Sequence, residues 1–253
     1  MLHVEVRDRV LVLTLDRPEA RNAIDATTTG EIEVALDAYE ADPDLWVCVI
    51  THRGPVFCSG ADLKAVASGG GRGIESAQHG FASICARERT KPLIAALEGP
   101  ALAGGFEIAL ACDCIVASVN ARFGLPEVKR ALVATGGGPF RMMRQLGPKV
   151  ALELAMTGDP ISAQRGYELG LVNRVVAPGS ALDEALVLAA AINANAPVAV
   201  RETRAVAVAS LDHGDADMWQ IARDAMARNV QTADFHEGPR AFVEKRAAQW
   251  KGH

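Results

Sequence analysis

The distribution of apolar and polar positions divides the chain into a first part of alternating strands and helices and a later, mostly helical part. The strands predicted from β-branched and buried runs are residues 4–7, 10–16, 45–51, 93–97 and 114–118. A tight turn at Asp8 and Arg9 joins the first two. Helical periodicity over residues 26–41 predicts a helix that Asp25 caps and that Asp42 and Pro43 end. This alternation favours an α/β fold in which one end of a sheet faces a cleft.

Three further segments complete this first part. Residues 54–60 predict a turn, and residues 74–88 predict a helix. The sequence Ser-Gly-Gly-Gly-Arg-Gly at residues 68–73 predicts a flexible loop. It lacks the Lys-Ser or Lys-Thr of a phosphate-binding loop, so a mobile flap and a connection without a role both remain open.

From Gly136 onward the periodicity is mostly helical. The predicted helices are residues 138–157, 162–169, 180–194, 197–211, 215–229 and 234–249. One more strand is predicted at residues 171–176. We therefore expect an α/β core at residues 1–177 and a helical C-terminal region at residues 178–253, divided near Pro178 and Gly179.

Composition narrows the class of protein. The chain has 253 residues, of which 49% are hydrophobic and 23% charged, which is ordinary for a globular protein. Its net charge of -5 argues against nucleic acid as a partner. We expect no membrane partner and a cytoplasmic location, because no apolar run of 18 or more residues is present and the first residues lack signal-peptide features.

The five cysteines do not indicate a structural framework. An odd number in a chain of this length is untypical of disulfide-stabilised proteins. Cys112 and Cys114 are one residue apart and have no histidine cluster near them. We therefore expect no metal site.

One acid stands inside an apolar, helix-like run at residues 101–112. Glu107 has no charged neighbour from Gly99 to Cys112. In an apolar pocket desolvation would raise its pKa toward the range useful for proton transfer. Gly104 and Gly105 fall where this helix should begin, where free N–H groups favour negative charge. A buried helix whose glycines permit close packing, and whose Glu107 reaches the surface, is an equally open alternative.

Several segments, taken in order, resemble the enoyl-CoA hydratase/isomerase (crotonase) family. They are residues 17–24, 57–64, 91–113 and 121–127, with softer matches at 154–158, 170–173 and 237–252. Taken alone, Gly60-Ala61 is typical of a turn and Pro126-Glu127 of a helix start. The ordered set is specific. The resemblance implies a crotonase-like spiral of strand-strand-helix turns with a C-terminal helical trimerisation region, in a homotrimer or a dimer of trimers.

The resemblance also implies a chemistry. Family members bind acyl-CoA thioesters, so coenzyme A belongs to the substrate and no cofactor is expected. The N–H groups of Ala61 and Gly104 would form the oxyanion hole for the enolate. Glu107 would act as base on water and Glu127 would protonate the α-carbon, which makes reversible hydration of a 2-enoyl-CoA the expected activity. The expected substrate-binding residues are Ala23, Ser59, Gly60, Asp62, Leu63, Lys64, Gly105 and Thr135. Asp62 is also expected to shape its loop by accepting backbone N–H bonds.

The stretch after Glu127 departs from typical short-chain hydratases. Thr135 replaces a glycine near the expected water, and it would either hold a polar acyl group or cap the following helix. Residues 128–130 and 135–138 look closer to the carnitinyl-CoA dehydratase-like branch. An isomerase, or a dehydratase or racemase acting on a different acyl-CoA, is therefore the alternative. A non-catalytic, RNA-binding member would have a basic face and would have lost the acids, contrary to what is found here.

Overall fold

Two sheets carry the architecture of the chain in the computed structural model, which describes residues 1–67, 71 and 73–253. Strands β1 to β11 are Leu2–Arg7, Val10–Leu15, Val47–His52, Glu75–Ser76, Gly80–Phe81, Leu93–Leu97, Ala101–Leu102, Cys114–Ser118, Arg122–Gly124, Ile161–Ser162 and Arg174–Val176. In the described residues the larger sheet has the order β1-β2-β3-β6-β8-β11. The β1–β2 pair is antiparallel and the other pairs in this sheet are parallel.

Helices cover the sheet and form the C-terminal region. Helices α1 to α10 are Ala26–Ala41, Leu63–Ala65, Gly104–Ala111, Gly138–Leu146, Pro148–Thr157, Ala163–Glu168, Ala181–Asn193, Pro197–Ala209, Asp215–Asn229 and Ala233–Glu244. Short 3₁₀ segments occupy Pro18–Ala20 and Pro126–Arg130. The carboxylate of Asp25 caps α1, as the sequence predicts, by accepting the N–H of Thr28 at 2.8 Å.

Both faces of the larger sheet are buried along its central strands β2, β3, β6 and β8, and side chains alternate between the two faces along each strand. Leu11 and Leu13 of β2 belong to the main core. Val10 and Val12 point to the other face, where they pack with alanines of α7 such as Ala185. The helix that follows the predicted division near residue 178 thus completes the burial of the sheet. The division itself stays a prediction.

The smaller sheet brings two distant stretches side by side. Strand β7 pairs in parallel with β9, with Ala101 opposite Phe123, and β10 continues this sheet antiparallel to β9. Strand β7 leads to α3, and β9 leads to the 3₁₀ segment at Pro126. Since parallel strands run in the same direction, the starts of these two elements lie at the same end of the sheet.

Asp113 joins the C-terminal helices to the sheet. Its carboxylate accepts hydrogen bonds from Arg89, from the N–H of Leu93 and from Arg204 of α8, each 2.8 or 2.9 Å long. Arg89 also donates to the carbonyl of Ala111, the last residue of α3. Burial alone would raise the pKa of Asp113, but Arg89 and Arg204 outweigh it and the pKa is lowered. One ionised carboxylate thus connects α8, β6 and the end of α3.

The prediction of a helix over residues 74–88 is wrong. The chain forms the antiparallel hairpin β4–β5 there, followed by turns. Ala82 and Ser83 adopt left-handed backbone conformations, with φ of 53° and 55°, which a right-handed helix excludes. Burial of Ile74, Phe81 and Ile84 against the main core overrides the local helical pattern.

Other boundaries also differ from the predictions. The helix predicted over residues 138–157 is two helices, because Gly147 has φ of 75° and Pro148 begins a new helix. The last helix ends at Glu244, where Lys245 takes a left-handed conformation, and the strand predicted at 171–176 is limited to Arg174–Val176. In the flexible loop predicted at 68–73, residues 68–70 and 72 lie outside the described residues.

Membrane and metal features complete the description. Within the described part of the chain, no single helix is both apolar and long enough to cross a membrane. Helices α7 and α8 would reach that length only together, and they are bent by 104°. Among the same residues, no group of three or more His, Cys, Asp or Glu side chains has the geometry of a metal site.

Candidate active site

The ends of α3, the smaller sheet and the hairpin enclose a cavity of about 1200 Å³. Its volume is ample for a small-molecule ligand. Both glutamates that the sequence singles out, Glu107 and Glu127, line it. The described lining residues are 17, 19–21, 23, 59, 61–64, 66, 71, 73–75, 81, 102–104, 107, 126, 127, 130 and 132–136.

Glu107 lies in the first turns of α3 and is 4% exposed. Its Oε1 accepts the N–H of Gly138 at 2.9 Å. Desolvation raises the pKa of Glu107, whereas the N–H groups of Gly138 and Gly136 and the charge of Arg141 oppose that rise. The alternative in which Glu107 reaches the outer surface is therefore wrong. The carboxylate is buried at the cavity wall with its pKa raised, as a residue that moves protons requires.

Glu127 follows Pro126 at the start of its 3₁₀ segment and is half-buried. Its Oε2 is buried and has no hydrogen-bond partner within the described part of the chain. Desolvation and the nearby charge of Glu107 raise its pKa, against the lowering effects of its own backbone N–H and of Arg130. A buried polar atom that lacks a partner is normally satisfied by water or by a ligand, and this one belongs to a cavity-lining residue.

Two backbone N–H groups at the cavity are free to bind an anion. Among the hydrogen bonds of the described residues, none uses the N–H of Ala61 or that of Gly104. The two N–H groups lie close together, because Gly60 directly precedes Ala61 and a Cβ added to Gly60 would be 3.1 Å from the nitrogen of Gly104. Ala103, just before α3, has φ of 52° and ψ of -131°. Such a strained backbone is typical of functional sites.

A network of charged groups fixes the loop that carries Ala61. Arg17 contacts Asp25 at 2.8 Å and Asp62 at 3.2 Å. Asp62 accepts the N–H groups of Lys64 and Ala65 at 3.1 and 3.2 Å, which is the loop-shaping role expected of it. The N–H donor of Ala61 is therefore held by its neighbours rather than by its own side chain.

The remaining predicted residues divide into two groups. Gly60 and Gly105 lie behind the cavity wall rather than among its described lining residues, and a Cβ on Gly105 would be 2.2 Å from the carbonyl oxygen of Cys58. Thr135 lines the cavity, but α4 begins without a side-chain cap, so the helix-capping alternative for Thr135 is wrong. The predicted residues that do line the cavity are Ala23, Ser59, Asp62, Leu63, Lys64 and Thr135.

Sequence reasoning missed three residues near the site. Glu75 and Phe81 face each other across the hairpin and line the cavity, but the wrong helix prediction concealed them. Arg141 donates to the carbonyl oxygens of Gly136 and Cys85. Its place in a basic stretch was visible in the sequence, whereas its contact with residue 85, far away along the chain, left no sequence signal.

Comparison with known proteins decides the family. The family model described as enoyl-CoA hydratase/isomerase matches residues 5–253. The chain belongs to the enoyl-CoA hydratase/isomerase family. The resemblance inferred from the ordered segments is thereby confirmed.

Individual members of the enoyl-CoA hydratase/isomerase family match over nearly their whole length. A mevalonyl-coenzyme A hydratase from Aspergillus fumigatus is 42% identical, covering 96% of this chain and 91% of that protein. A carnitinyl-CoA dehydratase from Proteus mirabilis is 39% identical over 99% and 98% of the two chains. The crystal structure of an enoyl-CoA hydratase from Mycobacterium tuberculosis superimposes with a TM-score of 0.96 at 43% identity, covering 100% and 99%. The predicted crotonase-like α/β fold is thus confirmed.

Proposed function

We propose that this chain is an enoyl-CoA hydratase, a hydro-lyase that adds water reversibly across the 2,3 double bond of a 2-enoyl-CoA thioester. The observation that carries the proposal is the presence in one cavity of two carboxyl groups, the buried Glu107 and the half-buried Glu127, and desolvation raises the pKa of each. Members of the family named as hydratases and dehydratases, at about 40% identity, support it.

We assign each step of this reaction to one group of the site. The thioester oxygen accepts the N–H groups of Ala61 and Gly104, which stabilise the negative charge that develops on it. A single donor of this kind contributes about 3–4 kcal/mol in other enzymes. Glu107 takes a proton from water as the water oxygen bonds to C3, and the electrons of the double bond move toward the thioester. Glu127 then gives its proton to C2. In dehydration each glutamate takes the opposite role.

The proposed chemistry needs no separate cofactor. Backbone N–H groups stabilise the enolate, carboxyl groups transfer the protons, and coenzyme A arrives as part of the substrate. Lys64 and Ser59 on the cavity wall are proposed to contact that substrate. We further propose a homotrimer or a dimer of trimers, which rests on the family membership.

A second candidate is a dehydratase or racemase acting on an acyl-CoA with a polar or charged acyl group, or an isomerase. The observation that favours it is the polar character of part of the cavity, where Glu75, Arg130 and Thr135 join the apolar lining. The carnitinyl-CoA and mevalonyl-CoA names of two relatives agree with such a substrate.

The deciding experiment follows the enoyl-thioester absorbance of crotonyl-CoA with the wild type, Glu107→Gln and Glu127→Gln. We expect the wild type to consume the substrate and each variant to lose at least about 100-fold in kcat, the scale of acid–base catalysis. Glu33→Gln, at a half-buried position of α1 outside the described cavity lining, is the matched control and should keep full activity.

Three other outcomes would contradict the first candidate. Retention of activity in one of the two variants would favour an isomerase, which can work with a single acid. If crotonyl-CoA is not consumed but coenzyme A still binds, the polar acyl-CoA candidate takes its place. Absence of both turnover and binding would contradict the enzyme assignment as a whole.

A further inference from the structure

In the run of three glycines Gly136 to Gly138, the first and the third lie against the carboxylate of Glu107. A Cβ added to Gly136 would lie 2.6 Å from Oε2, and one added to Gly138 would lie 3.1 Å from Oε1. The backbone of this loop therefore lies directly against the carboxylate, and the N–H of Gly138 donates to it at 2.9 Å. The direction of that donor depends on how the loop is held, because glycine can adopt many backbone conformations and fixes none of them by itself.

Arg141, in the first turn of α4, holds the loop. Its Nη1 donates to the carbonyl oxygen of Gly136 at 3.0 Å, and its Nη2 donates to that of Cys85. A Cβ on Gly137 would lie 2.1 Å from Nη1, so the guanidinium occupies the space that a side chain at 137 would need. Within the described residues, no other side chain donates a hydrogen bond to Gly136–Gly138.

The same guanidinium supports a second wall of the cavity. Cys85 ends a turn that begins at Phe81, and its own N–H donates to the carbonyl oxygen of Phe81 at 3.1 Å. The Phe81 ring packs against Gly104, one of the two proposed oxyanion donors. By bonding to residues 85 and 136 together, Arg141 connects the turn behind Phe81 with the loop around Glu107.

Arg141 is also a positive charge that acts on Glu107. Facing this carboxylate are Arg141 from α4, Glu75 from β4, Glu127 from the 3₁₀ segment and the thiol of Cys85. Glu75 disfavours a charged Glu107 and Arg141 favours it, and the Glu107 and Glu127 charges oppose each other. An arginine is suited to this place because it keeps its charge at every relevant pH and binds two acceptors in a fixed plane.

We propose that Arg141 is a positioning residue for the hydration reaction: it fixes the Gly136–Gly138 loop so that Glu107 stays ionised and aimed at the water. The part that concerns water rests on the proposed hydratase function. The part that concerns the Glu107 carboxylate does not, because it rests on the hydrogen bonds that join Arg141 to the loop and the loop to Glu107. Arg141 is not among the cavity-lining residues that the structure describes, so it acts through the loop.

The first test measures kcat and KM for crotonyl-CoA in Arg141→Gln, Arg141→Lys and Arg144→Gln. Arg144, on the same helix, pairs with Asp212 at 2.8 Å at an exposed position and is the matched control. We expect Arg141→Gln to lose about 10–100-fold in kcat with little change in KM, the effect of misplacing a proton-transfer group. Arg141→Lys should recover part of the loss, and Arg144→Gln should match the wild type.

The second test titrates Glu107 directly and needs no turnover. Protein labelled with [5-¹³C]glutamate is titrated by NMR, with the Glu107 signal assigned by its loss in Glu107→Gln. In Arg141→Gln this signal should titrate at a higher pH than in the wild type, and in Arg141→Lys it should return toward the wild-type value. Circular dichroism melting curves of all the variants establish that they are folded.

The outcomes separate the two proposals. If the wild type does not consume crotonyl-CoA, the hydratase proposal fails, while the titration still decides whether Arg141 governs Glu107. An Arg141→Gln variant whose Glu107 titrates as in the wild type would overturn the positioning proposal, even if kcat falls. Equal kcat losses in Arg141→Gln and Arg144→Gln would overturn it as well.

Discussion

The ring of Phe81 lies where a side chain on Gly104 would be. A Cβ added to Gly104 would be 2.4 Å from Cε1 and 2.5 Å from Cζ of Phe81. Such distances are well inside van der Waals contact, so the ring and the glycine determine each other's position. Hairpin β4–β5 carries Phe81, and its position therefore determines where the cavity wall lies beside the free N–H of Gly104.

This contact predicts a coupled pair of mutations. Gly104→Ala should lower kcat/KM by at least about 10-fold for an enoyl-CoA that the wild type consumes, because the Phe81 ring or the start of α3 must shift. Adding Phe81→Leu should restore part of the activity, since a smaller side chain leaves room for the methyl group. Steady-state kinetics of the two single variants and the double variant give the coupling.

Gly105 supplies the control for that cycle. Its Cβ would meet the backbone carbonyl of Cys58 at 2.2 Å, and no side-chain truncation at residue 81 relieves a clash with backbone. Phe81→Leu should therefore leave the defect of Gly105→Ala unchanged. Equal rescue of both glycine variants would show that Phe81 acts on general stability rather than on Gly104.

The pH dependence of the proposed reaction follows from the two glutamates. Hydration needs Glu107 ionised and Glu127 protonated, and dehydration needs the opposite. In both directions the two carboxyl groups of the active enzyme therefore carry one proton between them. Burial raises the pKa of both groups above the ordinary value. We expect bell-shaped profiles of kcat/KM whose acid limb lies above about 4.3, the usual glutamate value. The limbs belong to the coupled pair rather than to either residue.

Measuring kcat/KM against pH in both directions tests this expectation. The two profiles should share their limbs, because the active protonation state of the free enzyme carries the same number of protons. An alkaline limb missing from the hydration profile would contradict the role of Glu127 as proton donor.

Replacing Glu127 should stabilise the fold at neutral pH. Its pKa is raised by burial, so the native chain binds more protons than the unfolded one between the ordinary and the raised pKa. The free energy of unfolding therefore falls as the pH rises through that interval. Glu127→Gln removes this penalty, and its melting temperature at pH 8 should exceed that of the wild type, by about 2–4 °C for each kcal/mol removed in a chain of this size.

Thermal melting at pH 8 and at pH 4 provides the test. The gain should shrink at pH 4, where the wild-type carboxyl group is also neutral. A gain of the same size at both pH values would show that it arises from something other than the charge.

Asp113 should contribute far more to stability than an exposed ion pair does. Its carboxylate is shared by Arg89 and Arg204, and Arg89 is almost fully buried. Asp113→Asn should lower the free energy of unfolding by about 3 kcal/mol, because buried guanidinium groups lose their counter-charge. Glu168→Gln breaks the exposed pair with Arg165, at 3.3 Å, and should cost less than about 1 kcal/mol.

Urea unfolding at neutral pH compares the two variants. The pKa of Asp113 is lowered in the folded chain, so its stabilisation is present above the ordinary aspartate value and is lost as the pH falls through the lowered one. The difference between wild type and Asp113→Asn should narrow accordingly in acid. Similar losses in both variants at neutral pH would contradict the distinction.

Much of the fold could be predicted because the responsible signals are local. Strands β2, β3, β6 and β8 are runs of apolar residues, and Asp25 marks the start of α1 by a cap that involves neighbours three residues away. The segment 74–88 could not be predicted, because burial of Phe81 and Ile84 by distant residues decides its conformation. Gly147 could be seen in the sequence, but a lone glycine does not by itself reveal a positive φ.

The same distinction between local signals and long-range contacts applies to the candidate site. Glu107 is conspicuous because it is a single acid in an apolar run, and Glu127 and Ala61 were found through the resemblance to the family. Arg141 and Glu75 could not be recognised, because their roles depend on contacts between segments far apart along the chain. The pairing of β7 with β9 brings such segments together, and its strands are too short to leave a periodic pattern.

The attachment of α3 through Arg89 and Asp113 has a consequence for motion. The C-terminal end of α3 is bonded to Arg89 at Ala111 and to Gln145 at Leu110. The helix is therefore anchored through Arg89 to the Asp113 network and through Gln145 to α4, and we expect Gly104 and Glu107 to keep their spacing when a ligand enters. Any adjustment to different acyl groups would then fall to the loops that line the cavity. The proposed oxyanion donor and the proposed base would then already be in place when charge develops, which leaves little reorganisation for the reaction itself.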